Sequence, residues 1–156
     1  NTLSVFSSTH IALPYIKLSK GSIVFISSLA GLHGLPRTSL YSMSKMALTA
    51  LAQSLKIDLK GSGVHIGIIY AGFVENDKEK TTVDCQGNDI PILPRPKWIT
   101  QSKSKVAKAI LRNIRRRKFK SVLSPAGKVL NYMARHFPRL SLLILGRLSK
   151  ASEELK

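Results

Sequence analysis

Two short apolar runs constrain the fold of this chain more than any other feature. Residues 21–28 (GSIVFISS) and 64–70 (VHIGIIY) are rich in β-branched and aromatic side chains and lack the polar–apolar alternation of a half-exposed strand. Continuous runs of this kind are typical of parallel strands buried on both faces. Parallel neighbours need helical crossovers, so the two runs predict an α/β layered fold.

Helical patterns surround these runs. Residues 2–18 form a predicted helix that ends at Lys20-Gly21, and residues 41–60, rich in Ala, Leu, Met and Lys, form a second that ends at Gly61. Between residues 71 and 98, repeated Gly, Asn and Pro predict an irregular segment of the length that often serves as a lid.

The C-terminal part is predicted to contain two more helical regions and one strand. Ser102 or Ser104 can cap the next helix. Residues 118–123 are a predicted last strand, and 126–150 are predicted to be helical with a break at Pro138. The buried stripe of the helix that follows the cap is predicted on Val106, Ala107, Ile110, Leu111 and Ile114.

Several site classes find little support in the composition. The single cysteine, Cys85, permits no internal disulfide, and the four histidines lack the spacing of metal ligands, so no metal is predicted. The longest apolar run, residues 140–148, is interrupted by Ser, Gly and Arg and is too short to span a bilayer.

The net charge of +17 is unevenly distributed: residues 97–156 hold 16 of the 25 Lys and Arg but only two acids. Any electrostatic partner is therefore to be sought at the C-terminal part. The basic run 115–118 has one adjacent aromatic residue, which favours a solvated helix end over a nucleic-acid site. The basic and apolar segment 126–150 can pack on the substrate pocket or on a partner subunit, or lie in a membrane interface.

Tyr41 and Lys45 are the candidate catalytic pair. Residues four apart in a helix share a face, and a nearby ammonium favours the phenolate, so the pair can act in proton transfer. Alone, Tyr-x-x-x-Lys is a weak signal. Ser28 lies thirteen residues earlier, at the end of the first predicted strand, where open α/β sheets bind ligands and where a hydroxyl can donate to a substrate oxygen.

These motifs together resemble the active-site segment of the classical short-chain dehydrogenases/reductases. The segment 21–31 (GSIVFISSLAG), the segment 41–47 (YSMSKMA) and the turn 71–74 (AGFV) carry the resemblance. Asn1 is similar in position to the catalytic asparagine of the family, and the turn to the family's Pro-Gly-aliphatic turn beside the nicotinamide. The turn departs from the family in having Ala71 for the usual Pro and Asn76 for the usual Thr.

The resemblance implies a role for each of these residues. Tyr41 would be the general acid/base, Lys45 would lower the pKa of Tyr41 and hold the nicotinamide ribose, Ser28 would bind and polarise the substrate carbonyl, and Asn1 would order a proton-relaying water. The residues that the resemblance assigns to cofactor binding are Tyr41, Lys45, Ala71, Gly72, Val74 and Asn76. It implies NAD or NADP as cofactor, with NADP slightly favoured, and an alcohol or carbonyl compound as substrate.

The resemblance also implies a partial Rossmann-like doubly wound parallel sheet of three strands, with the N-terminal βαβ units missing. No Gly-x-x-x-Gly-x-Gly turn follows a strand in this sequence, so we expect the chain alone to bind dinucleotide weakly. We predict one domain over 1–156, comprising a catalytic core at 1–74, a substrate lid loop at 75–100, and C-terminal helices with the last strand at 101–156.

Two predictions about partners and location complete the sequence interpretation. The outer faces of helices 2–18 and 41–60 are apolar enough to form a homo-oligomer, as in the family. The protein is expected to be cytoplasmic, and peripheral membrane contact through the basic C-terminal tail is the alternative to packing of that tail on protein. A second interpretation stays open, in which the chain is a basic membrane- or polyanion-binding module that retains the oxidoreductase fold without activity.

Overall fold

A computed structural model describes residues 2–77, 79–83, 86–92 and 95–154; Asn1 and Cys85 lie outside these ranges. The helices are α1 (Thr2–Ser19), α2 (Ser39–Asp58), α3 (Lys103–Arg115), α4 (Pro125–His136) and α5 (Pro138–Glu154), with 3-10 turns at Leu29–Gly31 and Lys97–Ile99. The strands are β1 (Ser22–Ser28), β2 (His65–Ala71), β3 (Phe73–Val74), β4 (Thr81–Val83), β5 (Asp89–Pro91), β6 (Thr100–Gln101) and β7 (Lys120–Val122).

A parallel three-stranded sheet in the order β1-β2-β7 forms the centre of the fold. The β1–β2 register runs from Ser22 opposite His65 to Ser28 opposite Ala71. Helix α2 connects β1 to β2, and α3 lies between β2 and β7 in the sequence. The predicted α/β class, with a parallel three-stranded sheet and flanking helices, is confirmed.

Helices cover both faces of the central strand. Ile66, Ile68 and Tyr70 pack in one cluster with Ala52 of α2. Gly67 faces the other way, because a β-carbon there would lie 2.2 Å from Oδ1 of Asn113 in α3. Successive strand residues point to opposite faces, so α2 and α3 lie on opposite sides of β2. Every residue of β2 is buried, as predicted for this run.

The prediction that residues 21–28 are buried on both faces was wrong. In the described part of the chain β1 pairs only with β2 and is an edge strand. Phe25 and Ser27 are buried, whereas Ile26 is 44% exposed. An apolar run does not distinguish a central strand from an edge strand, because that difference depends on neighbours distant in sequence.

The prediction of an irregular segment over 71–98 was also wrong in part. β3 pairs in parallel with β6, and β4 pairs with β5 as a short antiparallel hairpin. Gly87, with φ of 90°, lies in the connection of that hairpin. Strands of two or three residues are too short to show the two-residue alternation of a strand. The Gly and Pro residues around them also favoured an irregular segment in the prediction.

The predicted helix cap at Ser102 and the predicted helix break at Pro138 are both present. The buried side of α3, however, is rotated relative to the predicted apolar stripe. The Ser102 hydroxyl accepts a hydrogen bond from the Lys105 backbone N–H at 3.3 Å and caps α3. Ala107 and Leu111 of the predicted stripe are exposed. Asn113 is buried instead and donates to the Ser121 hydroxyl at 2.9 Å. A polar residue that contacts the sheet is invisible to a search for apolar periodicity.

Candidate active site

Ser28 is the last residue of β1 and lies at the carboxyl edge of the sheet. Its hydroxyl caps the 3-10 turn Leu29–Gly31 by accepting a hydrogen bond from the Ala30 N–H at 3.4 Å. Ala71, at the end of β2, is its register partner. The structure therefore brings Ser28 and the 71–74 turn together at the edge where open α/β sheets bind ligands.

Tyr41 and Lys45 lie in the first two turns of α2, on one side of the helix. The Lys45 ammonium is 5.8 Å from the centroid of the Tyr41 ring, and the phenol is partly exposed. Lys45 Nζ also donates a hydrogen bond to the backbone carbonyl of Ile26 at 3.3 Å, which draws the ammonium toward the edge of β1. Lys45 lines an open cleft of about 370 Å³ with residues of α1, β1 and α2.

Two hydrogen bonds connect α2 to the end of β1 and to the 3-10 turn that follows it. The Ser27 hydroxyl donates to the Lys45 carbonyl at 3.1 Å, and the Thr49 hydroxyl donates to the Gly31 carbonyl at 3.0 Å. Sequence reasoning missed Ser27 and Thr49. The signal for Thr49 was its position, four residues after Lys45 and eight after Tyr41, on the same face of α2.

Tyr70 of β2 extends this network from the core. Its hydroxyl donates to Thr49 Oγ1 at 3.1 Å. Burial raises the pKa of the Tyr70 phenol above its ordinary value, against a smaller lowering by the hydrogen bond to Thr49. The Tyr70 hydroxyl therefore stays protonated at neutral pH. Its hydrogen bond to Thr49 helps to hold α2 in place on the sheet.

The residues predicted to line the nicotinamide are only partly brought to this edge. Ala71 is buried beside Ser28, and a β-carbon on Gly72 would lie 3.3 Å from the Ser124 side chain. Val74 is in β3, opposite Gln101 of β6. Asn76 is exposed and lies outside the strands, and within the described residues no hydrogen bond joins it to the groups above.

A larger cavity lies at the opposite end of β2 and contains none of the candidate catalytic residues. It measures about 790 Å³ and is lined by residues of 56–66 together with Arg117. Parallel sheets bind ligands at the carboxyl ends of their strands, whereas this cavity is at the amino end of β2. The candidate active site is therefore the edge that carries Ser28, Tyr41 and Lys45.

Comparison with known families identifies the class of protein. Residues 1–86 match the family model of the short chain dehydrogenases. That match covers more than half of the 156 residues, so the chain belongs to the short-chain dehydrogenase family of oxidoreductases.

Individual relatives agree with this assignment. Over 68 residues the chain is 40% identical to the 11-beta-hydroxysteroid dehydrogenase-like 4A of Arabidopsis thaliana, a match that covers 44% of the chain and 22% of that relative. Over 152 residues it is 28% identical to the dehydrogenase/reductase SDR family protein 7-like of Dictyostelium discoideum, which covers 97% of the chain and 46% of that relative. The chain thus spans less than half the length of these curated relatives.

A solved structure shows the same fold. A short chain dehydrogenase from Burkholderia cenocepacia J2315, solved in complex with NADP, matches with a TM-score of 0.76 over 93% of this chain and 55% of that chain. The two sequences are 14% identical, so this likeness supports the fold alone.

Proposed function

We propose that this chain carries the acid–base and substrate-side part of an NAD(P)-dependent oxidoreductase that interconverts an alcohol and a ketone. The observation that carries the proposal is the Lys45 ammonium, 5.8 Å from the centroid of the Tyr41 ring in α2. Membership of the short-chain dehydrogenase family supports the same chemistry.

In the proposed mechanism each side chain acts on the substrate oxygen or on the phenol oxygen of Tyr41. The Tyr41 hydroxyl passes a proton to the substrate oxygen during ketone reduction and removes it during alcohol oxidation. The Lys45 cation stabilises negative charge that develops on the phenol oxygen. The Ser28 hydroxyl donates a hydrogen bond to the carbonyl oxygen and polarises it. Asn1, outside the described residues, is assigned to a water that relays protons to Lys45.

Lys45 and the turn that begins at Ala71 would hold the nicotinamide end of the cofactor. Lys45 Nζ has three N–H donors, of which one is used by the Ile26 carbonyl, so two can donate to ribose hydroxyls. Ala71, Gly72, Val74 and Asn76 are assigned to the carboxamide side. When bound, the nicotinamide supplies or accepts the hydride. We propose NAD or NADP, with NADP slightly favoured.

A turnover assay on the complete protein tests this function. The oxidation of NADPH and of NADH is followed with a panel of ketones that includes a steroid ketone, because the Arabidopsis relative is named for hydroxysteroid chemistry. Ser28→Ala should lower kcat by roughly a hundredfold to a thousandfold, the usual loss of one donor to a developing oxyanion. Ser54→Ala, at an exposed position on α2, is the matched control and should turn over like the parent. Equal turnover in both variants would remove Ser28 from the mechanism.

We also propose that the helices predicted at 2–18 and 41–60 bury their outer faces against a second copy of the protein. Both helices present large exposed apolar side chains, namely Leu3, Ile11, Tyr15 and Leu18 on α1 and Leu40, Met43 and Ile57 on α2. Adjacent exposed faces of this kind mark interaction surfaces.

Size-exclusion chromatography with light scattering measures the molar mass of the protein and therefore its oligomeric state. Ile11→Glu should convert a dimer to a monomer, because a carboxylate would be buried without a partner. Leu111→Glu, at an exposed position on α3, should leave the mass unchanged. A monomeric parent protein would rule out this interface.

A further inference from the structure

Helix α5 exposes large apolar side chains to solvent, whereas a helix packed on a protein core buries them. Ser141 is 2% exposed, and its hydroxyl lies 3.0 Å from Nε2 of His33. Leu142, Leu143 and Leu148 are instead 62%, 63% and 61% exposed. A helix that serves only the core has the reverse arrangement, with leucines inside and serines outside. The outward leucines of α5 therefore need another explanation.

The exposed apolar surface continues onto α4. Val129 and Tyr132 of α4 and Phe137 at the junction are all exposed. The Tyr132 and Phe137 rings have centroids 6.3 Å apart. Tyrosine and other amphipathic aromatic rings are enriched where a protein meets the headgroup region of a bilayer. We call the exposed sides of α4 and α5 the α4–α5 face.

The charge along α4 and α5 is predominantly positive, and Glu153 and Glu154 at the C-terminal end of α5 are the acidic residues of the two helices. Residues 90–152 contain sixteen Lys and Arg and no Asp or Glu. Five of these cations lie on α4 and α5, and all are exposed: Lys128, Arg135, Arg139, Arg147 and Lys150. A face that combines exposed leucines with exposed cations is complementary to a surface that is apolar inside and anionic at its rim.

We propose that the α4–α5 face docks on the surface of a lipid bilayer that contains anionic lipids. The leucines enter the boundary between headgroups and acyl chains, and the cations contact the headgroups. Among the residues that the structure describes, no helix has the length and apolar character needed to cross a bilayer, so the contact is made at the surface. Binding to nucleic acid would use the cations alone and would leave Leu142 and Leu143 in water.

The docked face is attached to the candidate active site. Ser141 contacts His33, and the Arg37 guanidinium donates to the Ser149 carbonyl at 3.5 Å. His33 and Arg37 belong to the loop between the 3-10 turn and α2, which leads directly to Tyr41. Docking would therefore hold the candidate active site close to the lipid surface. The docking surface goes beyond the proposed enzymatic function, and either can fail while the other stands.

Flotation with vesicles tests the proposal on the purified chain. Vesicles of phosphatidylcholine with phosphatidylserine should bind the chain at low salt and release it at high salt, and phosphatidylcholine alone should bind it weakly. Arg139→Gln with Arg147→Gln should weaken binding by about thirtyfold, since each basic residue near an anionic surface contributes roughly fivefold. Lys17→Gln with Lys60→Gln removes the same charge from exposed positions outside the α4–α5 face and should leave binding within about twofold.

The contribution of the exposed leucines to vesicle binding is tested in the same assay. Leu142→Ser should weaken binding several-fold, whereas Leu111→Ser, at an exposed position on α3, should not. An environment-sensitive fluorophore on Leu143→Cys, in a Cys85→Ser background, should report an apolar surrounding only when anionic vesicles are added. Circular dichroism of each variant shows that the fold is intact.

Three results would overturn the proposal. The first is no binding to anionic vesicles at low salt. The second is an equal loss of binding in the two charge variants, which would show attraction by net charge and no defined face. The third is tighter binding to duplex RNA than to vesicles, unaffected by Leu142→Ser, which would assign the cations to nucleic acid.

Discussion

The backbone of Gly31 lies directly against the carbonyl group of Lys45. A β-carbon at Gly31 would lie 2.8 Å from that oxygen and 2.3 Å from the Ser27 hydroxyl, closer than real β-carbons approach such atoms. The turn after β1 and the N-terminal end of α2, which carries Tyr41 and Lys45, can therefore pack this closely only because residue 31 has no side chain.

Replacement of Gly31 by alanine should push α2 away from the sheet. We expect Gly31→Ala to lower the free energy of unfolding by about 1–3 kcal/mol, the usual cost of overpacking, and to reduce turnover by moving Tyr41 and Lys45. Gly34→Ala is the matched control, because a β-carbon there meets no atom within 4 Å. Urea unfolding of both variants gives the comparison, and equal stabilities would show that the turn adjusts without strain.

Tyr70 and Thr49 should be energetically coupled. Tyr70→Phe removes the hydrogen bond to Thr49 and should cost about 1 kcal/mol of unfolding free energy. Thr49→Val also leaves the Gly31 carbonyl without its donor and should cost roughly 1–3 kcal/mol. Because both substitutions break the same hydrogen bond, the double variant should be less destabilised than the sum by about 0.5–1 kcal/mol.

A denaturant double-mutant cycle measures this coupling, with Tyr15→Phe at an exposed position as control. Additive losses in the cycle would mean that the Tyr70–Thr49 hydrogen bond contributes nothing to the position of α2.

His65 should make the stability depend on pH. The imidazole is buried, Nε2 lies 3.1 Å from the Lys118 carbonyl, and Nδ1 lies 3.3 Å from the Ser22 hydroxyl. These partners suit a neutral ring that donates from Nε2 and accepts at Nδ1. Desolvation lowers the pKa of His65 below its ordinary value of 6.5, and the positive charges of Arg117 and Lys56 lower it further, against the hydrogen bond to Lys118.

The sign of this dependence follows from proton linkage. Between the lowered pKa of the folded state and 6.5, the unfolded chain binds more protons, so the free energy of unfolding rises with pH in that window. It should fall as the pH drops below about 6.5. His65→Gln should be less stable at pH 8 and show a shallower fall between pH 7 and pH 5, measured by urea unfolding at each pH. An unchanged slope in the variant would assign the pH dependence to other groups.

The parts of the fold that were predictable are those with a local signature. The apolar run at 64–70 indicated a buried strand, and every residue of His65–Ala71 is buried. Ser102 indicated a cap because capping is a contact within one turn. The exposure of Ile26 was not predictable, since it depends on whether another strand lies beside β1. Asn113 was missed because a buried amide that contacts Ser121 breaks the apolar pattern used to find the core.

The candidate site divides in the same way. Tyr41, Lys45 and Ser28 were found from spacing and from the resemblance. Ser27 and Thr49 were not, because their hydroxyls bond to backbone carbonyls that come close only after β1, its turn and α2 have packed together. Short polar residues of this kind look like ordinary helix or strand residues until the fold is known.

The most direct test of the proposed function is the turnover of the complete protein with Tyr41→Phe. The substitution keeps the ring beside Lys45 and removes only the hydroxyl. We predict that kcat for ketone reduction falls by about a hundredfold to ten-thousandfold, the usual contribution of a general acid, while the free energy of unfolding stays within about 0.5 kcal/mol of the parent. Tyr15→Phe should react at the parental rate. Turnover by Tyr41→Phe equal to that of the parent would contradict the assignment of Tyr41 as the proton donor.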